Sequence, residues 1–332
     1  MGIKAGDDLS PGLGGGMEMP AKCLAKTQDL PREEWLELRK RGLGGSDVLA
    51  CAGLSKWKSP FALYLEKRGE LLDDHENEAM YWGKVLEEPV AQKFAQETGY
   101  KIRRCNKILQ HPTHTFALAN LDREIIGVKE EDGPGILEIK TTGEWMRDNW
   151  EGDELPYAPQ LQLQHYFLVT GYRWGYIAIL IGGQTYKHFR VQRDEEIINY
   201  LIEIESAFWN RVLLGNPPPV DGSEATTEAL RLLYPRAIPR KEIQLSVSAE
   251  GFIRDFHLAH TEEKKWKDRK DEASNALRQM LEDAEIGCLG TTKVRWTNTT
   301  TNRLDTTRLK AELPEIHSRF CKELQTRRFT IK

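Results

Sequence analysis

The segment Ile136-Leu137-Glu138-Ile139-Lys140 constrains this chain more than any other. Apolar and charged residues alternate with the period of a β-strand. Leu137 and Ile139 therefore take one face, and Glu138 and Lys140 sit side by side on the other. Upstream, Leu118-Ala119-Asn120-Leu121-Asp122 reads as a strand ending in a carboxylate. The Gly/Pro turn Asp132-Gly133-Pro134-Gly135 lets Asp122 arrive beside Glu138. Two carboxylates next to a lysine suit a divalent metal that prefers oxygen ligands, with a cation left to face a phosphate. That is the layout of metal-assisted phosphodiester cleavage. Taken alone, Glu-x-Lys on a strand also describes a solvated face, and two flanking segments decide between the readings.

In Trp82 to Phe94, Leu86, Val90 and Phe94 recur every four residues and mark the buried face of a helix that stops at Thr98-Gly99. Pro89 fits a first turn or a kink better than mid-helix. Glu87 lies at the border of the apolar row, where a side chain can reach a cleft, and Glu88 is its neighbour; both also fit plain surface charges. In Pro159 to Gly171, Gln162 and Tyr166 stand four apart and share a helix face. They can hydrogen-bond a phosphate or orient a water or a carboxylate, or form the polar stripe of an amphipathic helix.

The turn Gly42-Leu43-Gly44-Gly45-Ser46 allows main-chain N–H groups to converge, with Ser46 or Asp47 capping the helix that follows. Such an end favours an anion, and Arg39 and Arg41 beside it point to phosphate. Asp47 would repel one, so it is expected to turn toward the helix or a basic partner.

The order G-x-x-x-E, D, E-x-K, Q-x-x-x-Y resembles the PD-(D/E)XK nuclease superfamily in its RecB-type branch. The wider pattern is similar to the YqaJ-type viral recombinase family, relatives of phage lambda exonuclease. It runs from Trp35-Leu36-Glu37-Leu38-Arg39 through Gly44-Gly45-Ser46-Asp47, Leu54 to Pro60 and Leu65-Glu66-Lys67-Arg68-Gly69, and covers roughly residues 32–205. The resemblance implies an α/β fold: a restriction-endonuclease-like core with a mixed central sheet flanked by helices.

It also implies roles. Asp122, Glu138 and the main-chain carbonyl of Ile139 would hold Mg²⁺, for which Mn²⁺ can substitute, as one ion or two. Lys140 would activate the attacking water, and Glu87, rather than Glu88, would orient a second ion or its waters. Gln162 and Tyr166 would support them, and Arg39 and Ser46, with Arg41 near, would meet a 5′-terminal phosphate. No Pro-Asp pair precedes the E-x-K strand; Asn120-Leu121-Asp122 stands there, and only the aspartate is chemically required.

The 332 residues can bury a large core, and no run of about 18 apolar residues suggests a membrane span. The formal net charge of −4 does not by itself suggest a nucleic-acid binder, but Lys293 to Lys332 carries ten Lys/Arg against four Asp/Glu. The five cysteines at 23, 51, 105, 288 and 321 stand far apart. They read as reduced thiols in the cytoplasm of a bacterial or phage-infected cell, and argue against a clustered iron–sulfur site. His111 with His114, and His257 with His260, read as turn or surface residues rather than zinc ligands. No P-loop motif is present, so no ATP use is indicated.

Along the chain, residues 1–31 read as a disordered lead-in, 32–215 as the nuclease domain, and 216–332 as a C-terminal extension serving as an arm, a DNA clamp or a subunit contact. The boundary is placed at Gly215-Asn216-Pro217-Pro218-Pro219. In the core, the acidic stretch Asp73 to Glu78 leads into the Glu87 helix, with strands near 101–110, 115–126 and 135–141 and a hairpin from Trp174 to Val191. A long charged helical stretch over 247–285 and a strand from Lys293 to Thr297 follow.

The resulting expectation is a 5′→3′ exonuclease on double-stranded DNA ends that leaves 3′ single strands for an annealing protein. By analogy it would be a homo-oligomer, a ring of three. The competing readings are a structure-specific or restriction-type endonuclease and an inactive DNA-binding scaffold.

Overall fold

The computed structural model describes residues 20–71, 77–152, 155–322 and 326–331. Asp73 to Glu76 and residues 1–19 of the lead-in segment lie outside them. The chain divides into two compact units after Leu233.

The first unit opens with β1 (Lys22–Lys26), α1 (Arg32–Arg39), α2 (Val48–Cys51), α3 (Pro60–Lys67) and α4 (Glu78–Thr98). It continues with β2 (Lys101–Arg104), β3 (Lys107–Gln110), β4 (Leu118–Ala119), β5 (Arg123–Ile126) and β6 (Gly135–Thr142). Then come α5 (Tyr157–Thr170), β7 (Trp174–Ile181), β8 (Thr185–Gln192), α6 (Glu195–Leu214) and α7 (Glu224–Leu233). Five strands form a mixed central sheet in the order β2-β5-β6-β7-β8, in which only β6 and β7 are parallel, with α5 in the crossover between them. Parallel neighbours need such a crossover because a tight turn can only reverse the chain.

The period-two pattern of β6 is realised as written. Leu137 and Ile139 pack on Val90, Ala91 and Phe94 of α4. Ile136, on the opposite face, packs with Leu163 and Phe167 of α5 and with Ile177 and Ile179 of β7. Each such side chain, fully buried, contributes about 1.5–3 kcal/mol relative to exposure. Glu138 and Lys140 share the α5 side.

Local chemistry sets the helix ends. The Asn77 side chain accepts from Met80 N at 2.9 Å to start α4, and Gly99, at φ 71°, ends it in the left-handed conformation that glycine takes without a Cβ clash.

Four expectations are corrected. Pro89 lies inside α4, not in its first turn. It is exposed, and the carbonyl it leaves without a donor belongs to exposed Val85, where water can replace the lost bond. Residues 22–26, expected in the lead-in, form β1, which pairs antiparallel with β3; a five-residue strand with charged ends gives little periodicity to read. The 115–126 region is two short strands in two sheets, β4 beside β3 and β5 beside β6. The core unit also extends past Gly215. Thr226 of α7 donates to Ser59 Oγ at 2.7 Å, a buried bond that docks α7 on α3 and carries the boundary to Leu233.

The second unit contains α8 (Ala249–Leu281), the hairpin β9 (Ile286–Leu289) and β10 (Thr292–Arg295), α9 (Thr306–Glu312) and α10 (Pro314–Phe320). No helix among the described residues is long and apolar enough to cross a membrane.

Candidate active site

On the α5 side of the sheet, Glu138, Lys140, Gln162 and Tyr166 form one network. Lys140 Nζ lies 2.7 Å from Glu138 Oε1 and donates to Gln162 Oε1 at 2.8 Å. The Gln162 amide donates to Glu138 Oε1 at 2.6 Å and lies 3.0 Å from the Tyr166 hydroxyl. Burial opposes the Lys140 charge, but Glu138 and Asp122 outweigh it and hold the ammonium above its ordinary pKa. Burial, then Glu138 and Asp122, push the Tyr166 hydroxyl well up, so it stays a proton donor. Both side chains pack closely against Gly45, where a Cβ would come within 2.6 Å of the Tyr166 ring and 2.9 Å of Gln162 Cγ. The sequence suggested anion contact for this turn; close packing is the requirement the structure shows.

Asp122 stands at the open edge of β6. Its Oδ2 accepts from Ile139 N at 2.8 Å. The β5–β6 ladder pairs Arg123 with Leu137 and goes no further along β6. The N–H and C=O of one strand residue leave on the same edge, so the Ile139 carbonyl also faces this gap. Burial, with Glu138 and then Glu87 adding repulsion, raises the Asp122 carboxyl well above the usual range.

Glu138 Oε2 is buried and has no hydrogen-bond partner. A buried carboxylate oxygen left unpaired is costly. Crowded carboxylates, an orphaned oxygen and a main-chain carbonyl on one edge form an all-oxygen donor set that fits a hard divalent cation. Among the described residues no group of three or more His, Cys, Asp or Glu forms a fuller cage.

The α4 side differs. Glu87 and Glu88 are both bound by Arg123, which is nearly fully buried and also donates to the Asp122 carbonyl at 2.6 Å. Arg104 takes Glu88 as well, and its hydrogen bond is the main reason the Glu88 carboxyl drops to about 2. Glu87 is thus near Asp122, but its carboxylate is held by an arginine that the sequence reading missed. Its position next to Asp122 was the available signal.

At the Gly-rich turn, Asp47 is buried and faces inward. It lies 2.7 Å from Lys67 Nζ and 3.2 Å from Arg39, and accepts from Gly44 N at 3.0 Å. Burial works against its charge, but Lys67 and Arg39 hold the carboxyl well below its usual range. Arg39 also approaches Ser46 Oγ at 3.4 Å and stacks over Trp35 at 4.9 Å. A cavity of about 160 Å³ is lined by Arg39, Gly44, Gly45, Ser46, Asn120 and Tyr166, among others, so the expected phosphate-binding pair, Arg39 and Ser46, opens onto the helix that carries Tyr166. Arg41 is not brought there. It lines a second cleft with Glu37 and Glu66, to which Arg39 also contributes, because α1 ends at Arg39 and residue 41 lies past the helix.

Residues 34–173 match the model of the YqaJ-like viral recombinase domain. The chain is 38% identical over 316 residues to the Bacillus subtilis (strain 168) protein YqaJ, covering 94% of this chain and 98% of that one. The chain belongs to the YqaJ-like viral recombinase family. Solved structures similar to it include an alkaline exonuclease from Laribacter hongkongensis (21% identity, TM-score 0.47, 55% of this chain and 94% of that one). A phage related exonuclease from Haemophilus somnus 129PT aligns at 16% identity and TM-score 0.41, covering 55% and 98%.

One buried pair reaches beyond the matched YqaJ-like segment. His165, between Gln162 and Tyr166 in sequence, lies 2.8 Å from Glu205 of α6 and 2.8 Å from the Leu118 carbonyl, and both side chains are fully buried. Burial lowers and Glu205 more than restores the imidazolium, leaving the pKa raised. The pair ties α5 to α6 and to the strand that leads to Asp122. Nothing in the sequence marked it, since the partners stand 40 residues apart. Of the other histidines, His111 accepts from His114 N at 2.8 Å and shapes its turn.

Proposed function

We propose that this YqaJ-like chain is a divalent-metal-dependent deoxyribonuclease that degrades one strand of duplex DNA from its 5′ end and leaves a 3′ single strand for an annealing protein. The observation that carries the reading is the orphaned Glu138 Oε2 beside Asp122, with Lys140 on the other oxygen of the same carboxylate. Asp122, Glu138 and the Ile139 carbonyl would hold the ion. Bound Mg²⁺, or Mn²⁺ in its place, as one ion or two, supplies Lewis acidity and a nucleophilic water.

The chain's own groups do the rest. An ammonium has three N–H donors, and Lys140 directs two of them to Glu138 and Gln162, which aims the third at a phosphate or its attacking water. Gln162 fixes both charged partners at once, so the base of the site is preorganised before substrate arrives. Glu87, one of whose carboxylate oxygens is held by Arg123, would orient a second ion or its waters. Arg39 and Ser46, at the mouth of the cavity that reaches Tyr166, would grip a terminal phosphate and set direction. Family membership supports a recombination role, and a ring of subunits, three by analogy, would account for processive digestion.

The test is digestion of a linear duplex labelled separately at each end, with 5′-phosphate and 5′-hydroxyl forms and a closed circle as control. Mg²⁺-dependent loss from the phosphorylated 5′ end with an intact circle is the expected result. A cut circle would convert the reading to an endonuclease, and no cleavage with any divalent metal would leave a DNA-binding scaffold.

A further inference from the structure

The second unit contains two differently charged parts. In α8, seven Lys/Arg meet seven Asp/Glu, with local pairs such as Lys265–Glu262 at 2.6 Å. That is the balance of a solvated helix face. From Lys293 onward the chain carries net +6 within a total of −4, so everything before it carries −10. The basic side chains of the described part of this segment, among them Lys293, Arg295, Arg303, Lys310, Arg319 and Lys322, are exposed. Among the described residues none of these six has an acidic partner within ion-pair distance, whereas Arg308 is paired with Glu312.

Their placement is ordered. Lys293 and Arg295 alternate with half-buried Val294 on β10, so both cations leave the β9–β10 ribbon on one face. Trp296 follows, half exposed, and then the exposed hydroxyl and amide run Thr297-Asn298-Thr299-Thr300-Thr301-Asn302 leads to Arg303. Glu282, Asp283 and Glu285 precede β9 and Asp305 follows Arg303, yet among the described residues none of them is ion-paired with these cations, which leaves the basic side chains open to a polyanion. Hydroxyls, amides and basic side chains are the groups that bind phosphate oxygens.

We infer that the β9–β10 ribbon and the segment after it hold the phosphate backbone of duplex DNA, adding an electrostatic grip to a chain whose remainder carries net −10. The inference rests on DNA being the substrate, as proposed above. Duplex is favoured over single strand because cations outnumber exposed aromatics here, and single-strand surfaces stack successive bases on aromatic rings.

The test uses the full chain in EDTA, so that no cleavage occurs. Affinity for a labelled duplex, and for one of its strands alone, is measured over about 50 to 200 mM salt. The quadruple variant Lys293→Gln, Arg295→Gln, Arg303→Gln, Arg319→Gln is expected to bind duplex at least about tenfold more weakly at low salt. Its slope of log affinity against log salt should flatten by up to about 0.9 for each phosphate that is no longer neutralised. A variant set that keeps charge (Lys293→Arg, Arg295→Lys, Arg303→Lys, Arg319→Lys) should keep the slope, which separates lost charge from lost folding. An unchanged slope in the Gln variant overturns the inference, as does a change confined to the single strand. An unchanged slope with an altered oligomeric state would overturn it too, and assign the surface to association between copies. If wild type cuts nothing with any metal yet its duplex affinity depends on these residues, the nuclease proposal fails and this one stands.

Discussion

The two faces of β6 meet similar carboxylates and treat them oppositely. On the α4 side Glu87 and Glu88 share a buried arginine, and their charge is answered within the protein. On the α5 side Glu138 has a lysine and an amide on one oxygen and nothing on the other, while Asp122 is crowded by both neighbours. Stability alone would favour the first solution, since an unpaired buried carboxylate oxygen is destabilising. Glu205 Oε2 is also buried without a partner, so what sets Glu138 apart is the second carboxylate, Asp122, crowded against it. The lesson is to look for a cation where charge is left unanswered, and not wherever acids are dense.

The largest effect that would break this contrast is Glu138→Ala. It should lower cleavage by about 10³-fold or more while leaving duplex binding in EDTA nearly intact, read by single-turnover digestion and anisotropy. Lys140→Met should cost about 10²–10³-fold in kcat, or about 3–4 kcal/mol, with little change in KM. Asp47→Asn tests a second internally answered carboxylate: leaving Lys67 buried without its partner should cost about 3 kcal/mol at neutral pH in urea unfolding.

The sign with pH follows from the depressed Asp47 pKa. The pair stabilises the fold above the unfolded carboxylate value of about 3.9 and loses that contribution as pH falls through the folded value, so the gap between wild type and variant should narrow in acid. Gly45→Ala should cost about 1–3 kcal/mol in stability and reduce activity, because its methyl group displaces Tyr166 and Gln162. Glu87→Gln should be the mildest, below about 1 kcal/mol in stability, since both it and Glu88 are partly solvated and Arg123 keeps Glu88.

What could be read in the sequence was local and periodic. The β6 faces follow from period two, and Gln162 with Tyr166 from helix spacing; the structure joins them as that reading implied. Pairings between distant single charges were invisible. Arg123 with Glu87, His165 with Glu205 and Lys67 with Asp47 are separated by 36, 40 and 20 residues, and no spacing rule links them. Arg41 looked equivalent to Arg39, but α1 ends at Arg39 and residue 41 lies beyond it, so the two side chains do not share a helix face. The proline run after Gly215 looked like a boundary, while α7 beyond it is held to the core by Ala229, Leu230 and Leu233 in the cluster with α3 and α6 and by a buried hydroxyl pair that composition cannot announce.

The central claim is that Asp122 and Glu138 form a cation site and the Glu87/Glu88 face does not. Titration of the full chain with Mn²⁺, with free ion followed by electron paramagnetic resonance, tests it without DNA or turnover. The account predicts binding in wild type and in Glu87→Gln, and its loss in Asp122→Asn and Glu138→Gln. Undiminished Mn²⁺ binding by Glu138→Gln would contradict it.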